Sequence, residues 1–363
     1  MKPAPRLEVD LSKIHHNARQ LVERFAASGV SITGICKATQ GWPEVANTLL
    51  AAGVQFLGDS HIENIESMQR AGIEAPMTLI RSPMPSQVNR VVAAAQMSFN
   101  TEIDVIERLS RQAQHVGRTH GVVLMVDLGD RREGILPEDL LKVVRQTLRL
   151  PHIVLKGIGT NLACLNGISP DASNMAELSA LADLIESTFE IKLELITGGN
   201  SANMDWADSD DGFGRINNLR LGEVILLGCE TLHRRAIDGL FSDAFTLVAE
   251  VIESKRKPAQ PRGTVAQAAF GRPWPIAGDG LVMQSIVAIG RQDTDPDGLR
   301  APPGVAITGA SSDHLILVTP GQPLPVGKEV AFGLNYNALV LAMRSPFVAK
   351  VLKPLVKAEL QPV

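Results

Sequence analysis

Short apolar runs alternate with amphipathic segments from about residue 10 to residue 235. The apolar runs have the length of buried strands and comprise SITGICK, VQFLGDS, MTLIRS, QMSFN, GVVLMVDLG, HIVLKGIGT, KLELITGG and INNLRLG. Most of the segments between them place apolar residues three or four positions apart, which is typical of helices packed on one face. Eight strand-then-helix units within roughly 220 residues predict a parallel sheet covered by helices, closed into a (β/α)8 TIM barrel.

The pattern changes after residue 236. Alternating or short apolar runs now lie between turns rich in Gly, Pro and Asp, such as DPDG and TPGQPLPVGK. This arrangement predicts a C-terminal antiparallel β domain. The segment RLEVDL near the N-terminus also alternates, so we expect it to pair with that domain. The predicted organisation is a barrel over residues 10–235 and a β domain over residues 236–363 that includes the strand 6–10.

Composition and charge narrow the class of function. The 363 residues carry a formal net charge of −4 and no long basic run, which argues against nucleic acid as a partner. No apolar segment has the length of a membrane span or a signal peptide, so no membrane partner is expected. The three cysteines lie far apart without metal-site spacing, which indicates a cytoplasmic protein with neither a disulfide framework nor a cysteine-bound metal.

Candidate chemistry lies at the carboxyl ends of the predicted strands, where barrels form their active sites. Polar or small residues follow apolar strand bodies at five of these ends. They are Lys37 after the first strand, Arg132 in DLGDRREG, Asn161 in GTNLAC, Gly199, Asn200 and Ser201 in TGGNSAN, and Arg220, Gly222 and Glu223 in NLRLGE. A lysine that shares this rim with glycine-rich turns able to hold an anion suggests pyridoxal 5'-phosphate (PLP) bound as a Schiff base.

Each of these residues also has an ordinary structural explanation. A lone lysine at a strand end can extend its amine into solvent, and Arg132 can pair with its neighbour Glu133. Asn200 and Ser201 can cap the next helix, and one TGG turn is a weak signal. The functional interpretation depends on all of these positions falling at the same rim.

Several stretches are familiar in combination and in order: ITGICKAT, VDLGDRREGI, GIGTNLAC, ITGGNSAN, NNLRLGEVILLG, ITGASSDHLIL and FGLNYNALVLAMRSPFV. With them the chain resembles the alanine racemase-like fold-type III family of PLP-dependent enzymes, and it is most similar to the ornithine racemase group. The resemblance implies a racemase that interconverts L- and D-amino acids by two-base transfer of the α-proton. The expected substrates are ornithine, lysine or a broader range of amino acids.

The resemblance also implies roles on the ring side of the cofactor. Lys37 matches the lysine that forms the Schiff base and moves the α-proton on one face. Arg132 matches an arginine near the phenolic oxygen, and Arg220 matches one that faces the pyridine nitrogen. Asn161 stands where related enzymes have a ring-contacting histidine, so this contact is expected to differ.

On the phosphate side, the resemblance implies a cup made by Ser201 and the backbone amides of Gly222 and Glu223. Gly199 and Asn200 belong to the same turn and are expected to contact the cofactor with them. Tyr336, the single tyrosine of the chain, matches a phosphate-contacting tyrosine of the C-terminal domain. Its alternative role is a packed ring with a satisfied hydroxyl.

The second base is where the chain departs from alanine racemases. Those enzymes use a tyrosine in a region that here reads VAQAAFGRPW and has none. The stretch ASSDH matches one that a partner subunit inserts into the site, so Asp313 and His314 become the candidates. The alternative is a turn aspartate beside an exposed histidine. The resemblance therefore also implies a homodimer whose site is completed by the partner's C-terminal domain.

Two other functions remain open at this stage. One is a PLP-dependent D-amino-acid aldolase or dehydratase, although Ile316 stands where the second metal ligand after His314 is expected. The other is a protein that only holds the cofactor, although such proteins stop at the barrel. The residue that binds the far amine of an ornithine- or lysine-like substrate also stays open among four carboxylates: Glu223, Glu230, Asp313 and Asp127.

Overall fold

The computed structural model describes residues 4–209, 212–270 and 280–353. The chain divides into two compact units, one of Ile14–Ser242 and one that joins Met1–Lys13 to Asp243–Val363. The corresponding boundaries predicted from the sequence are residues 10 and 236. Strand β1 (Arg6–Asp10) comes first in the chain, and helix α1 (Leu11–Ala26) follows it directly.

Eight parallel strands close into a barrel within the Ile14–Ser242 unit, which confirms the predicted fold class. They are β2 (Ser31–Ile35), β3 (Phe56–Asp59), β4 (Met77–Leu79), β5 (Met97–Asn100), β6 (His120–Val126), β7 (Ile153–Thr160), β8 (Leu195–Thr197) and β9 (Asn218–Leu221). Each strand pairs with the next, and β2 closes the ring by pairing with β9.

Helices alternate with these strands. They are α2 (Pro43–Ala51), α3 (Ile62–Arg70), α4 (Val88–Ala94), α5 (Ile103–His115), α6 (Pro137–Thr147), α7 (Ala172–Phe189), α8 (Met204–Ala207) and α9 (Glu223–Leu227). In the described ranges, the chain has no helix both long and apolar enough to cross a membrane.

Burial explains why these segments adopt their structures. In α1 the side chains of Ile14, Ala18, Leu21 and Phe25 recur on one face, and all four are buried. All seven residues of β6 are buried, as expected for a parallel strand covered on both faces. The barrel interior also holds polar groups, because the Asn218 amide bonds to hydroxyls of the neighbouring strands.

The second unit is built around an eight-stranded sheet. After β1 its strands are β10 (Phe245–Pro258), β11 (Leu281–Val287), β12 (Leu299–Arg300), β13 (Ala306–Ala310), β14 (Leu315–Thr319), β15 (Glu329–Leu334) and β16 (Ala349–Lys353). The main path runs β12-β15-β10-β11-β14-β13 with antiparallel neighbours, and β1 pairs antiparallel with β10.

One pair in this sheet differs from the expected antiparallel pattern. Strand β16 runs parallel to β1. Helix α10 (Tyr336–Arg344) lies between β15 and β16 in the chain, and a helical crossover is the usual connection that lets a strand enter a sheet in parallel.

Candidate active site

Lys37 lies two residues after the end of β2, beyond Cys36, and begins a short 3-10 turn, Lys37–Thr39. The hydroxyl of Thr39 donates to the carbonyl of Cys36 at 3.0 Å, and the amide of Gly41 donates to the same carbonyl at 3.1 Å. Gly41 has a φ of 62°, and a Cβ there would lie 2.8 Å from the carbonyl oxygen of Asn64. Only glycine fits this position, so the turn presents Lys37 in a fixed backbone setting.

Asp59, the last residue of β3, supports this turn and was not singled out from the sequence. Its Oδ1 accepts hydrogen bonds from the amide of His61 at 2.9 Å and from Asn64 Nδ2 at 3.0 Å. Its Oδ2 is buried and has no hydrogen-bond partner among the described residues. Burial raises the pKa of the Asp59 carboxyl to about 6, and the charge of Lys37 counteracts part of that effect.

Arg220 lies inside the barrel near the end of β9. Its Nη1 donates to Thr197 Oγ1 at 2.5 Å, and its Nη2 donates to the carbonyl of Thr160 at 2.6 Å. The guanidinium also lies over the ring of Phe99, 5.3 Å from its centroid. Burial, and secondarily the charge of Arg132, lower the pKa of Arg220 to about 10. At that value the side chain remains a cation near neutral pH.

Asn161 follows β7, and its hydrogen bonds indicate which kind of ligand fits at this rim. Its Oδ1 accepts from Asn200 Nδ2 at 3.1 Å and from Arg220 Nη2 at 3.3 Å. Because both neighbours are donors, the oxygen must face them and the amide nitrogen must face away. That nitrogen is buried and has no partner in the described part of the chain. Since an unpaired buried donor costs about 1–3 kcal/mol, the site fits a ligand that brings a hydrogen-bond acceptor.

The turn after β8 is shaped by close backbone contacts. Gly199 has a φ of 150°, and a Cβ there would lie 2.0 Å from Asn203 Oδ1. Asn200 caps the following 3-10 turn, since its Oδ1 accepts from the amide of Ala202 at 2.8 Å and its own amide donates to Asn203 Oδ1 at 2.9 Å. The capping role considered for Asn200 is therefore present, together with its contact to Asn161.

Ser201 connects this turn to the start of α9. The amide of Val224 donates to Ser201 Oγ at 3.1 Å, and Ser201 is buried. Gly222 precedes α9, and a Cβ there would lie 3.0 Å from the Cβ of Ile35. The Ser201–Val224 hydrogen bond thus joins the turn after β8 to the start of α9, while Gly222 lets the end of β9 approach the end of β2. The hydroxyl and backbone amides gathered there suit a phosphate group.

Arg132 lies in the loop after β6 and forms an ion pair with Glu133 at 2.5 Å. The surface pairing considered for Arg132 is therefore present. The buried carboxylate of Asp130 holds the same loop to the one after β7, because it accepts from the amides of Cys164 at 3.1 Å, Leu165 at 2.9 Å and Asn166 at 3.0 Å.

Glu223, the first residue of α9, is a mostly buried carboxylate paired with Arg234. Burial raises the pKa of its carboxyl to about 7, while the charges of Arg234 and Lys37 oppose this rise. The barrel unit therefore holds nine predicted site residues at or beside the ends of its strands: Lys37, Arg132, Asn161, Gly199, Asn200, Ser201, Arg220, Gly222 and Glu223.

The other three predicted residues lie in the second unit. Asp313 and His314 lie between β13 and β14, and His314 Nδ1 is 2.9 Å from Asp313 Oδ1. The hydroxyl of Ser311 bonds to the same carboxylate at 3.3 Å and accepts from the amide of His314 at 3.2 Å. Tyr336 begins α10 and is half-buried. Residues 265–274 correspond to the region in which alanine racemases have their tyrosine base. Part of this region lies outside the described residues.

Comparisons with known proteins fit this geometry. The family model for the N-terminal domain of alanine racemase matches residues 9–229. A lysine racemase of Thermotoga maritima is 37% identical over 352 residues, which cover 96% of this chain and 99% of that protein. An ornithine racemase of Acetoanaerobium sticklandii is 33% identical with the same coverage. The alanine racemase of Bacillus anthracis superposes with a TM-score of 0.74 at 19% identity, covering 97% of this chain and 96% of that one.

The chain is a PLP-dependent amino-acid racemase. It has a closed barrel followed by a β domain, a lysine after the first barrel strand, and racemase relatives that match over nearly their full length. The chain belongs to the alanine racemase family. The structural likeness shows the fold, while the family model and the two relatives carry the assignment of activity and cofactor.

Proposed function

We propose that the enzyme interconverts the L- and D-forms of ornithine and lysine. Its two relatives with near full-length coverage are named for these substrates. The structural observation that best supports a racemase is that the chain carries two proton-handling groups of different kinds, one in each unit. One is Lys37 after β2, and the other is the hydrogen-bonded pair of Asp313 and His314.

The barrel residues divide the work of holding the cofactor. Ser201 and the backbone at Gly222 and Glu223 would hold the phosphate, and Tyr336, which lies outside the barrel in the second unit, is proposed as a further contact. Arg220 and Asn161 would donate hydrogen bonds to the ring, and Arg132 would lie near its phenolic oxygen. When bound, PLP supplies an electron sink that makes the α-proton of an amino acid much more acidic.

Lys37 has two roles in this proposal. Its Nζ would hold the cofactor, and the same amine would take or return the α-proton of the substrate on one face. The turn that fixes its backbone, with Gly41 against Asn64, limits where Nζ can reach. Arg220 remains charged throughout, so it donates a hydrogen bond without giving up a proton. A cofactor ring held by such a donor would stay unprotonated and be a weaker electron sink, which would disfavour side reactions such as transamination.

The opposite face needs a second base, and we assign it to His314. The carboxylate of Asp313 lies 2.9 Å from His314 Nδ1, so the neutral ring carries its proton on Nδ1 and presents a lone pair on Nε2. This is the arrangement in which a carboxylate orients a histidine as a general base. Asp313 is the orienting residue, and its pKa is lowered by hydrogen bonds from Ser312 and by the charge of His314.

A two-base site built in this way requires groups from both units. We propose that the enzyme acts as a homodimer in which the Asp313–His314 pair of one subunit serves Lys37 of the other. We also propose a cytoplasmic location, which is supported by the reduced state of the three cysteines, Cys36, Cys164 and Cys229.

A panel of single-enantiomer amino acids tests the proposed substrates. The purified enzyme with PLP should abolish the optical rotation of L-ornithine and L-lysine faster than that of L-alanine, L-glutamate or L-leucine. The same final state should be reached from the D-enantiomers. Preferential racemisation of alanine, or retention of every rotation, would contradict the proposal.

A further inference from the structure

The structure separates the four carboxylates that sequence reasoning left as candidates for the far amine of the substrate. Both oxygens of Glu230 accept backbone amides, from Leu232 at 2.6 Å, His233 at 2.9 Å and Arg235 at 2.7 Å. Asp127 accepts amides of its own turn, from Gly129 at 2.9 Å and Arg131 at 3.1 Å. Each of these carboxylates therefore already stabilises a loop by accepting backbone amides.

Asp313 also has a partner, because it holds His314 Nδ1 and two serine hydroxyls. A substrate cation at Asp313 would compete with the histidine that we assign as the second base. Glu223 is the fourth candidate, and Arg234 donates a hydrogen bond to its Oε1. Within the described ranges, its carboxylate shows no bond to a backbone amide comparable to those of Glu230 and Asp127.

Glu223 lies close to the reacting lysine through the barrel itself. Strands β2 and β9 are paired neighbours, with Gly34 opposite Leu221. Lys37 is three residues past that pair on one strand, and Glu223 is two residues past it on the other. Burial raises the pKa of the Glu223 carboxyl, and the charge of Lys37 opposes that rise. From the strand register we expect the side chain of a substrate held beside Lys37 to run along this rim.

The position of Arg234 favours replacement of its ion pair with Glu223 by an ion pair between Glu223 and a substrate cation. The Glu223 side chain is 12% exposed, whereas that of Arg234 is 57% exposed. Arg234 also has a φ of 62°, a left-handed backbone conformation that is unfavourable for arginine. The carboxylate is thus anchored at the start of α9, while its cation comes from a loop at the surface.

We propose that the Glu223 carboxylate binds the terminal ammonium of ornithine or lysine and thereby selects dibasic amino acids, an inference that rests on the proposed substrate class. A second cation beside this carboxylate favours its charged form, which burial alone disfavours. Neutral side chains leave Glu223 with Arg234 only, and acidic side chains meet like charge. The resulting preference is for a cation at the end of an unbranched chain.

The test compares L-ornithine with L-norleucine, which has a methyl group in place of the ammonium. Binding of each to the holoenzyme is measured from the change in cofactor absorbance, and racemisation is measured in parallel. In Glu223→Gln the ornithine-to-norleucine affinity ratio should fall by roughly 10- to 100-fold, the worth of one charged hydrogen bond. The matched control Asp238→Asn removes an exposed carboxylate of the same unit and should leave that ratio unchanged.

Arg234→Gln distinguishes recognition from a structural ion pair. If Glu223 binds the substrate, removing its resident cation should preserve or increase the ornithine preference. A loss equal to that of Glu223→Gln would mean that only the ion pair matters and would overturn the inference. An unchanged ornithine-to-norleucine ratio in Glu223→Gln would also overturn the inference. The same holds for a fall in that ratio that is explained by weaker cofactor binding. A wild-type enzyme that prefers norleucine would instead refute the proposed substrate class itself.

Discussion

At the residue scale, the chemistry depends on how individual polar side chains are oriented by their neighbours. Asn161 is turned by two donors so that its buried amide nitrogen has no acceptor among the described residues, and His314 is turned by Asp313 so that Nε2 points away from that carboxylate. In both cases a partner fixes which atom is engaged and which is left over. The atom left over then determines what the residue can do: donate to a ligand at Asn161 and accept a proton at His314.

This orientation predicts an asymmetric defect when His314 is removed. In deuterated water, His314→Ala should slow α-proton exchange starting from one enantiomer by roughly 10²- to 10⁴-fold, the usual contribution of a general base. Exchange starting from the other enantiomer depends on Lys37 and should be affected far less. Proton NMR of each enantiomer with the PLP-loaded enzyme measures both rates.

Two variants check the assignment of the second base. His115→Ala removes an exposed histidine from α5 and should leave the two exchange rates unchanged. Asp313→Asn should produce the same asymmetry as His314→Ala in weaker form, because it disturbs the tautomer and keeps the imidazole. Equal and mild losses from both enantiomers would place the base elsewhere.

The residues at strand ends were predictable, and those that orient them were not. Lys37, Asn161, Ser201 and Arg220 follow apolar runs, so position alone marks them. Asp59 also ends a strand, but the sequence GDS is common in turns and gives no indication that the Asp59 side chain is buried. Arg234 carries no local signal, because its pairing with Glu223 depends on a loop conformation that only the fold creates.

At the scale of elements, the junction between β3 and α3 determines how firmly the Lys37 turn is held. Asp59 bonds to His61 and Asn64 at the start of α3, and Asn64 packs against Gly41. This support depends on a carboxyl group that is costly to ionise in the folded state. The stability of the junction should therefore depend on pH.

The sign follows from the raised pKa of Asp59. Between the model-peptide value of 3.8 and about 6, the folded protein binds more protons at this site than the unfolded chain, so stability falls as pH rises. Relative to Asp59→Asn, the wild-type protein should lose up to about 3 kcal/mol of unfolding free energy across this range. Thermal unfolding of both proteins at several pH values measures the difference, and a difference that is flat from pH 4 to 7 would contradict it.

The pattern of elements was largely predictable where periodicity is regular. All eight barrel strands coincide with predicted apolar runs, because parallel strands buried on both faces are mostly apolar. Helix α10 was missed because the strand-like run EVAFGLNY continues into it. The boundary is made by Asn335, whose Oδ1 accepts from the amide of Ala338 at 2.9 Å and caps the helix. Strand β16 is short and half-buried, and pairing with β1 is what makes it a strand.

At the scale of the whole molecule, the two proposed bases lie in separate compact units. Lys37 belongs to the barrel unit, and Asp313 and His314 belong to the unit built from both ends of the chain. In the proposed dimer, each site takes Lys37 from one subunit and the Asp313–His314 pair from the other. The central claim is therefore that two chains, each defective in one of these groups, can form an active site together.

Co-expression of two differently tagged variants tests this claim most directly. One variant is Lys37→Ala, and the other combines Asp313→Ala with His314→Ala. Each alone should fail to racemise L-ornithine, whereas the purified hybrid should recover about half of wild-type activity, because one of its two sites contains both wild-type groups. A hybrid no more active than the two variants assayed separately, or an active enzyme that sediments as a monomer, would contradict the account.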